Sequence, residues 1–334
     1  MELKDKIKIY LDQIKKIKGV ENVVLTQRDG NPIQSSGVWL SQEEIFSVCS
    51  ATSAIFNVGI KLYPEELQYI LIEGKKAKIL IAPLNSPVHE TLNRILTLQE
   101  IIKKNKEFFI AITALPTVNL GSIFLQTNTC LKKVKNSLLT SKKEFKPPLI
   151  EFTGDKLQEI LERFKIKDRN EENYNFSSFS LNISEDMTWE LNKLLNNFSR
   201  TILDLNYAFL TVEGGFILSQ ILKSEEIEDD SIDSISAMSY SLFQVANRCS
   251  WLLKKMEAEK ILLDTQNSFQ FINKVHRGVF CSEIAKGGKM RLGLIRLYIP
   301  QLLKKASEIL KKASEREKMK SFDIKNLLGE MIIK

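Results

Sequence analysis

Residues 23–33 read VVLTQRDGNPI, and SSG follows at 35–37. Residues 20–25 predict a strand because β-branched and apolar side chains dominate them. The pair Asp29-Gly30 predicts a tight turn, since both residues tolerate the backbone angles that such turns require. Residues 33–38 then predict the returning strand. We therefore expect a β-hairpin at this point of the chain.

Helices are predicted on both sides of this hairpin. Residues 3–18 carry apolar side chains at helical spacing, and Gly19 ends that pattern. After the hairpin, Ser41 and Glu44 have the spacing of a capping box, which predicts the start of a helix that runs to about Ile60. The hairpin thus lies between two amphipathic or apolar helices.

The rest of the first half predicts three more strands and two more helices. The strands are expected at 67–72, 78–84 and 108–114. Ser86-Pro87 predicts the start of a helix over 87–105, and Asn119 can cap a last helix that ends near 139. The order is α-β-β-α-β-β-(α)-β-α, and we expect a first domain over residues 1–140 with an inserted helix at 87–105.

A connector over 141–183 follows, with Pro147-Pro148, a short amphipathic helix and a polar stretch at 168–180 that is typical of a linker. The element order then recurs over 184–312, which predicts a second domain. Its helices are expected at 185–205, 230–256 and 289–312, and its strands at 207–212, 216–222, 260–264, 269–275 and 278–284. Residues 313–334 predict a C-terminal amphipathic helical tail.

Short sequence echoes support a duplication. The pattern LGxIxL occurs at 120–125 and again at 292–297, and Leu-Lys-Lys follows at the same distance in both places. SATS at 50–53 corresponds to SAMS at 236–239. The spacing between the copies falls from 186 residues at the serines to 172 at LGxIxL. The predicted helix 87–105 lies in that interval, so copy one carries an insertion.

Composition indicates a globular protein of 334 residues with 43% hydrophobic and 27% charged residues. Charged residues follow Met1 directly, and no run approaches the roughly 18 apolar residues of a membrane span, so we expect a cytoplasmic protein without a transmembrane segment. The net charge of +7 suggests nucleic acid or an anionic membrane as a binding partner. Lysines at 304–320 are interleaved with glutamates, however, which favours a solvated helix face over a binding arm.

Motifs for catalysis are missing from the sequence. The two histidines, His89 and His276, lie near no cysteine or carboxylate motif, and zinc spacing does not occur. Gly287-Gly288-Lys289 lacks the first glycine and the Ser/Thr of a phosphate-binding loop. We therefore expect no catalytic residue, no cofactor and no metal, and hence no enzyme.

The helix near 41–60 carries the strongest signal for a partner. One apolar stripe would suffice to pack a helix on its sheet, but this helix is apolar on nearly every side. Pairing of the two middle helices would cover the second side, and Ala54→Arg should then disrupt it; coverage by the helix at 87–105 or by the connector helix is the alternative. The candidate residues on the two helices are Ile45, Val48, Cys49, Thr52, Ile55, Phe56, Phe243, Ala246 and Trp251.

Taken in order, the hairpin VVLTQRDGNPI, the helix with Ala51 and Ala54, the strand KILIAP at 78–83 and NLGSIFL at 119–125 resemble the roadblock domain family. The resemblance covers residues 1–140 without the insert. It implies an α/β (α+β sandwich) fold, α-β-β-α-β-β-β-α, with a five-stranded, mostly antiparallel sheet between helices. Copy two resembles the family by element order, with Glu213 where Asp29 would be expected.

The resemblance further implies a dimerising, non-catalytic module that pairs through its middle helix and the adjacent edge strand. Here these are 41–60 with 67–73 and 230–256 with 259–265, which adds Tyr69 and Leu71 to the candidate interface. The pairing is expected within one chain, as a pseudo-dimer, or between two chains.

Family members serve as platforms or regulators of Ras-like small GTPases and as light chains of dynein motors. We therefore expect a scaffold or regulator whose partners are a small GTPase or other roadblock-domain proteins, and no nucleic acid. An adaptor for a motor or membrane complex, without effect on nucleotide turnover, is the alternative. An enzyme or nucleic-acid binder that recruited the fold is the third hypothesis.

Overall fold

The structure is a computed structural model that describes residues 2–37, 41–64, 66–84, 108–140, 183–224, 229–253, 257–288 and 292–332. The predicted helix 87–105 and the short helix predicted within the connector lie outside these residues. In the first half of the chain the elements are α1 (Leu3–Lys15), β1 (Val20–Gln27), β2 (Pro32–Gly37), α2 (Gln42–Leu62), β3 (Leu67–Gly74), β4 (Lys78–Pro83), β5 (Phe108–Ala114) and α3 (Leu120–Thr140). In the second half they are α4 (Glu185–Thr201), β6 (Leu205–Thr211), β7 (Ile217–Leu222), α5 (Asp229–Leu252), β8 (Ala258–Thr265), β9 (Ser268–Val275), β10 (Gly278–Ala285) and α6 (Leu292–Ile332).

The predicted fold class is confirmed, since each half has the order α-β-β-α-β-β-β-α and the strand pairs within each unit described below are antiparallel. Four helix ends differ from the sequence prediction: α1 ends at Lys15 instead of 18, α5 ends at Leu252 instead of 256, and the ends of α4 and α6 differ as well. α4 ends at Thr201 instead of 205, because Ile202 is already extended with φ −98° and ψ 96°. α6 does not end near 312 but continues to Ile332, through a lysine- and glutamate-rich stretch of good helix formers.

The chain forms two compact units. The first comprises Met1–Leu157 and Met238–Ile272, and the second comprises Gln158–Ala237 and Asn273–Lys334. In the first unit the strand order is β2-β1-β5-β4-β3-β8-β9, and in the second it is β10-β6-β7. The first unit therefore contains all of copy one together with most of the middle helix, β8 and most of β9 of copy two.

In the first unit, α1 and α2 cover opposite faces of the sheet. The Thr26 hydroxyl donates to Cys49 Sγ on α2 at 3.2 Å. Gln34, which pairs with Leu25, donates from Nε2 to the carbonyl of Lys4 in α1. Neighbouring residues of a strand point to opposite faces, so Leu25 and Thr26 face the two different helix layers. α3 packs beside α1.

In the second unit, α4 and α6 pack together and α4 lies over β7. The rings of Phe198 on α4 and Phe280 on β10 meet edge to face, 5.5 Å between centroids. At the edge of this sheet, the Ser219 hydroxyl donates to Asn192 Oδ1 on α4 at 2.6 Å. These contacts place the α4 side of β10, β6 and β7 in a packed core.

The serine echo between the two copies has a structural cause. Gly30, with φ +93°, sits in the β1–β2 turn, where a Cβ would lie 3.5 Å from Ser50 Cα on α2. Gly215, with φ +83°, sits in the β6–β7 turn, where a Cβ would lie 2.9 Å from Ala237 Cα on α5. Each turn packs closely against its middle helix, which explains the small residues on both helices. The Ser236 hydroxyl also donates to the Gly215 carbonyl at 2.7 Å.

Candidate pairing interface

α2 begins at the predicted capping box. The Glu44 backbone N–H donates to Ser41 Oγ, and the Ser41 N–H donates to Glu44 Oε2. Two of the helix's unpaired N-terminal N–H groups are thereby satisfied. The cap fixes where α2 begins, and with 3.6 residues per turn it also fixes which side chains face the sheet.

One face of α2 packs on its own sheet. Phe56 lies against Phe109 of β5, with 4.6 Å between ring centroids. Ser53 Oγ donates to the Arg28 carbonyl, and Arg28 Nε donates to Asn57 Oδ1 at 2.8 Å. These contacts hold the β1–β2 turn against the helix. They account for the buried side chains Cys49, Ser53 and Phe56.

A second face of α2 is buried as well. Val48, Ala51 and Ile55 follow one another at helical spacing, and each is at most 5% exposed. α5 reaches α2 on this side, where Cys249 Sγ donates to the Ala51 carbonyl at 3.1 Å. The middle helix of copy two thus contacts the apolar flank of α2 at this point.

The strands next to these helices also pair. β3 and β8 are antiparallel, with Leu71 opposite Leu262, Ile70 opposite Leu263 and Ile72 opposite Ile261. Both strands have eight residues and lie 191 positions apart along the chain. Leu71 and Leu262 are therefore corresponding positions of the two copies, and they face each other as residues do across the two-fold axis of a symmetric dimer.

Polar and charged side chains flank this apolar centre. Glu73 lies opposite Lys260 in the ladder, and Tyr69 lies opposite Asp264. Burial, and then the negative charge of Asp264, raise the pKa of the Tyr69 hydroxyl above its ordinary value. Lys75 and Glu259 are 3.6 Å apart but largely exposed, so this ion pair adds little stability. The backbone ladder and the apolar pairs, rather than the ion pair, hold the strands together.

The structure gives the following positions for the candidate residues. Ile45, Val48, Cys49, Thr52, Ile55, Phe56, Leu71, Phe243 and Ala246 are buried, and Tyr69 is half-buried with its ring edge-on to Phe124 at 5.1 Å. Trp251 lies in α5, but its side chain is outside the described residues.

Ala54 is exposed, so the expectation that Ala54→Arg disrupts the interface is wrong: Ala54 points away from both buried faces of α2.

The resemblance placed 259–265 in the pairing interface, but sequence reasoning did not single out Lys260, Leu262 or Asp264 and missed the Ala51 carbonyl as an acceptor. A signal was present for the strand residues, since the strand predicted at 260–264 follows α5 as the strand at 67–72 follows α2. The pairing of β3 with β8 brings them together. Helical spacing reveals which side chains are apolar, but it does not reveal a backbone carbonyl as an acceptor.

α2 also passes a membrane-span test by length and hydropathy. Glu44–Leu62 has a mean hydropathy of 1.5 over 19 residues, so the expectation that no segment is long and apolar enough is wrong by this measure. Fifty-six per cent of that window is buried inside the protein. A core helix covered on two sides passes the same test, and this burial accounts for the apolar composition.

The four cysteines are all buried and unbonded to one another. Burial raises the pKa of the Cys49, Cys130 and Cys249 thiols to about 12, and it is the largest cause of the shift in each of them. Within the described residues, no group of three His, Cys, Asp or Glu side chains is placed to hold a metal ion.

We expect these thiols to react slowly in the folded protein. A pKa of about 12 instead of 9.0 lowers the thiolate fraction at pH 8 about 1,000-fold. A thiol-reactive dye should therefore label the native chain very slowly and all four cysteines rapidly in urea. Because the folded state prefers the neutral thiols, their stabilisation is complete below about pH 9 and is lost as the pH rises towards 12. One native thiol that reacts at the urea rate would contradict the burial described above.

No protein-family model and no curated protein matches the chain. Solved structures that are similar to it are roadblock-domain proteins. MglB in a tetrameric arrangement is 13% identical with a TM-score of 0.36 and covers 39% of this chain and 94% of its own. The Roadblock/LC7 domain from Streptomyces avermitilis is 12% identical with a TM-score of 0.32 and covers 40% and 98%. MglB from Myxococcus xanthus is 18% identical with a TM-score of 0.34 and covers 39% and 93%.

Proposed function

We propose that this chain is a non-catalytic, cytoplasmic regulator of a Ras-like small GTPase, which it binds through a surface formed jointly by α2 and α5. One observation supports the proposal most directly. The middle helix and edge strand that the roadblock resemblance implies for pairing meet their counterparts from the same chain, at Ala51 with Cys249 and at Leu71 with Leu262. A single chain thereby holds the paired platform that the resemblance associates with small GTPases.

The outer strip of both helices is available for a partner. On α2 the exposed residues include Glu44, Ala54 and Lys61, and on α5 they include Gln244 and Arg248. Ala54 is small, so a partner can approach the helix backbone closely at that point. Arg248 and Lys61 add positive charge, which would favour an acidic patch on the GTPase and would speed its association.

Recovery of a GTPase with the tagged chain, followed by rate measurements with the purified pair, tests this proposal. A regulator should change the rate of GTP hydrolysis or of nucleotide exchange when both proteins are pure. Binding that leaves both rates unchanged would favour the adaptor hypothesis instead. Failure to recover any small GTPase at low salt would count against both the regulator and its proposed surface.

A substitution can separate partner binding from folding. Ala54→Arg should weaken GTPase binding at least about ten-fold, because a long charged side chain would stand in the middle of the contact. Its melting temperature should stay close to that of the wild type, since Ala54 is exposed. Gln126→Arg on the exposed side of α3 is the matched control and should bind normally. Equal binding by both variants would place the partner elsewhere.

A further inference from the structure

β7 is the edge strand of the second unit. It pairs with β6 on one side, from Tyr207 with Leu222 to Thr211 with Ile217. Within the part of the chain that the structure describes, no strand pairs with its other side. An edge strand of this kind presents a row of backbone N–H and C=O groups to any further strand.

The corresponding strand of copy one begins with a proline, and β7 does not. A helix lies over each strand: α1 lies over β2, where Gln34 donates to the Lys4 carbonyl, and α4 lies over β7, where Ser219 donates to Asn192. Proline is a common means of keeping an edge strand from pairing, and Pro32 provides it in β2. β7 reads ILSQIL, without proline or charge, and Ser219 is its buried residue while Gln220 is exposed.

The hydrogen-bond pattern shows which groups of β7 point outward. The Lys223 N–H donates to the Asn206 carbonyl at 2.9 Å, so this pair belongs to the hydrogen-bonded pairs of the ladder with β6. Bonded and non-bonded pairs alternate in an antiparallel ladder. Gln220 and Leu222 therefore alternate with the bonded positions, whereas Leu218 lies at the register shift between Leu210 and Thr211. The backbone groups of Gln220 and Leu222 point away from β6.

We propose that β7 pairs antiparallel with β7 of a second copy of this chain, about a two-fold axis at Gln220. Gln220 then lies opposite Gln220 of the other copy, and Leu218 lies opposite Leu222. A two-fold axis perpendicular to the sheet requires a residue to face its own counterpart, because only then do opposed side chains share a face. Residues 218, 220 and 222 are Leu, Gln and Leu, which is the same order in both directions.

Two further observations favour a second copy as the occupant. The strand carries no charge, so two copies meet there without like-charge repulsion despite the net charge of +7. The chain also already joins its two halves in this way, since β3 and β8 pair about the corresponding residues Leu71 and Leu262. The pairing within the chain already occupies β3 and β8. Association of two chains through a sheet therefore needs another edge strand, and β7 provides one.

The contact between two six-residue strands is smaller than a standard protein–protein interface. We therefore expect a weak dimer, with a dissociation constant on the order of 100 µM. Sedimentation equilibrium of the full chain over a range of concentrations should show a reversible monomer–dimer transition. A chain that stays monomeric up to about 500 µM would overturn the proposal.

Charge variants at Gln220 test the register. Gln220→Lys and Gln220→Glu each place like charges opposite each other across the axis, so each variant alone should dimerise at least about ten-fold more weakly than the wild type. An equimolar mixture of the two should regain dimer, because opposite charges then face each other. Gln126→Lys on α3 adds the same charge at another exposed position and should dimerise like the wild type.

Far-UV circular dichroism shows whether the variants fold, and Gln220 is exposed, so neither substitution should unfold the chain. Dimerisation of Gln220→Lys at the wild-type strength would place the contact on another surface and would refute the proposed axis. If both variants dimerise weakly and their equimolar mixture does not regain the dimer, Gln220 does not face Gln220 of the other copy.

Discussion

Ala246→Arg should lower the free energy of unfolding by about 3–5 kcal/mol, because it buries a charge that has no partner. Ala246 is 0% exposed and lies one turn before Cys249, whose thiol contacts the Ala51 carbonyl of α2. The arginine side chain also exceeds the space that a methyl group occupies, which forces neighbouring side chains out of their preferred rotamers. Urea denaturation followed by far-UV circular dichroism measures the change.

Ala54→Arg is the matched control for this experiment. The same two residue types are exchanged, again on a middle helix, but Ala54 is exposed and the guanidinium group stays in water. We expect a change within about 0.5 kcal/mol. Similar destabilisation by both variants would mean that α2 is covered all round, and a tolerated Ala246→Arg would mean that α5 does not pack against α2 as described.

The hairpin and the middle helix were predictable because short-range chemistry determines them. Asp29-Gly30 specifies the turn, and Gly30 adopts the positive φ that the turn requires. Ser41 and Glu44 specify the start of α2 through contacts three residues apart. In such cases the residues that decide the structure are neighbours in the sequence, so no knowledge of the rest of the chain is needed.

The exposed strip of α2 and the β3–β8 register were not predictable in the same way. Ala51 and Ala54 are both alanines on α2. Only the positions of the sheet and of α5 decide which of them is buried. Leu71 could pair with any apolar residue of β8 as far as the side-chain pattern is concerned. The backbone ladder and the ends of the two strands determine that it faces Leu262.

The two copies use their corresponding elements for different contacts. β3 and β8 are joined to each other, whereas β2 begins with Pro32 and β7 has neither proline nor charge. The same element order thus yields two edge strands that differ by one proline. This asymmetry allows partner binding at α2 and α5 and self-association at β7 to be tested with separate substitutions.

Gly278→Ala should destabilise the second unit by about 2–3 kcal/mol. A Cβ on Gly278 would overlap the Thr211 carbonyl oxygen and lie 2.9 Å from the carbonyl carbon and 3.2 Å from Val212 Cα. All three atoms belong to the backbone, so no side-chain rotation can relieve the overlap, and β10 must move away from β6. The ladder in which Val279 pairs with Thr211 would weaken at its first residues.

Gly293→Ala provides the matched control, because a Cβ on Gly293 meets nothing within 4 Å at the start of α6. Alanine favours the helix and restricts the unfolded chain, so this variant should be slightly more stable than the wild type, by about 0.5 kcal/mol. Amide hydrogen exchange can localise the effect: for Gly278→Ala, protection should fall in β6 and β10, while β3 and β8 in the first unit keep theirs. A Gly278→Ala variant as stable as Gly293→Ala would show that β10 approaches β6 less closely, since the two substitutions differ chiefly in the backbone atoms that the new methyl group meets.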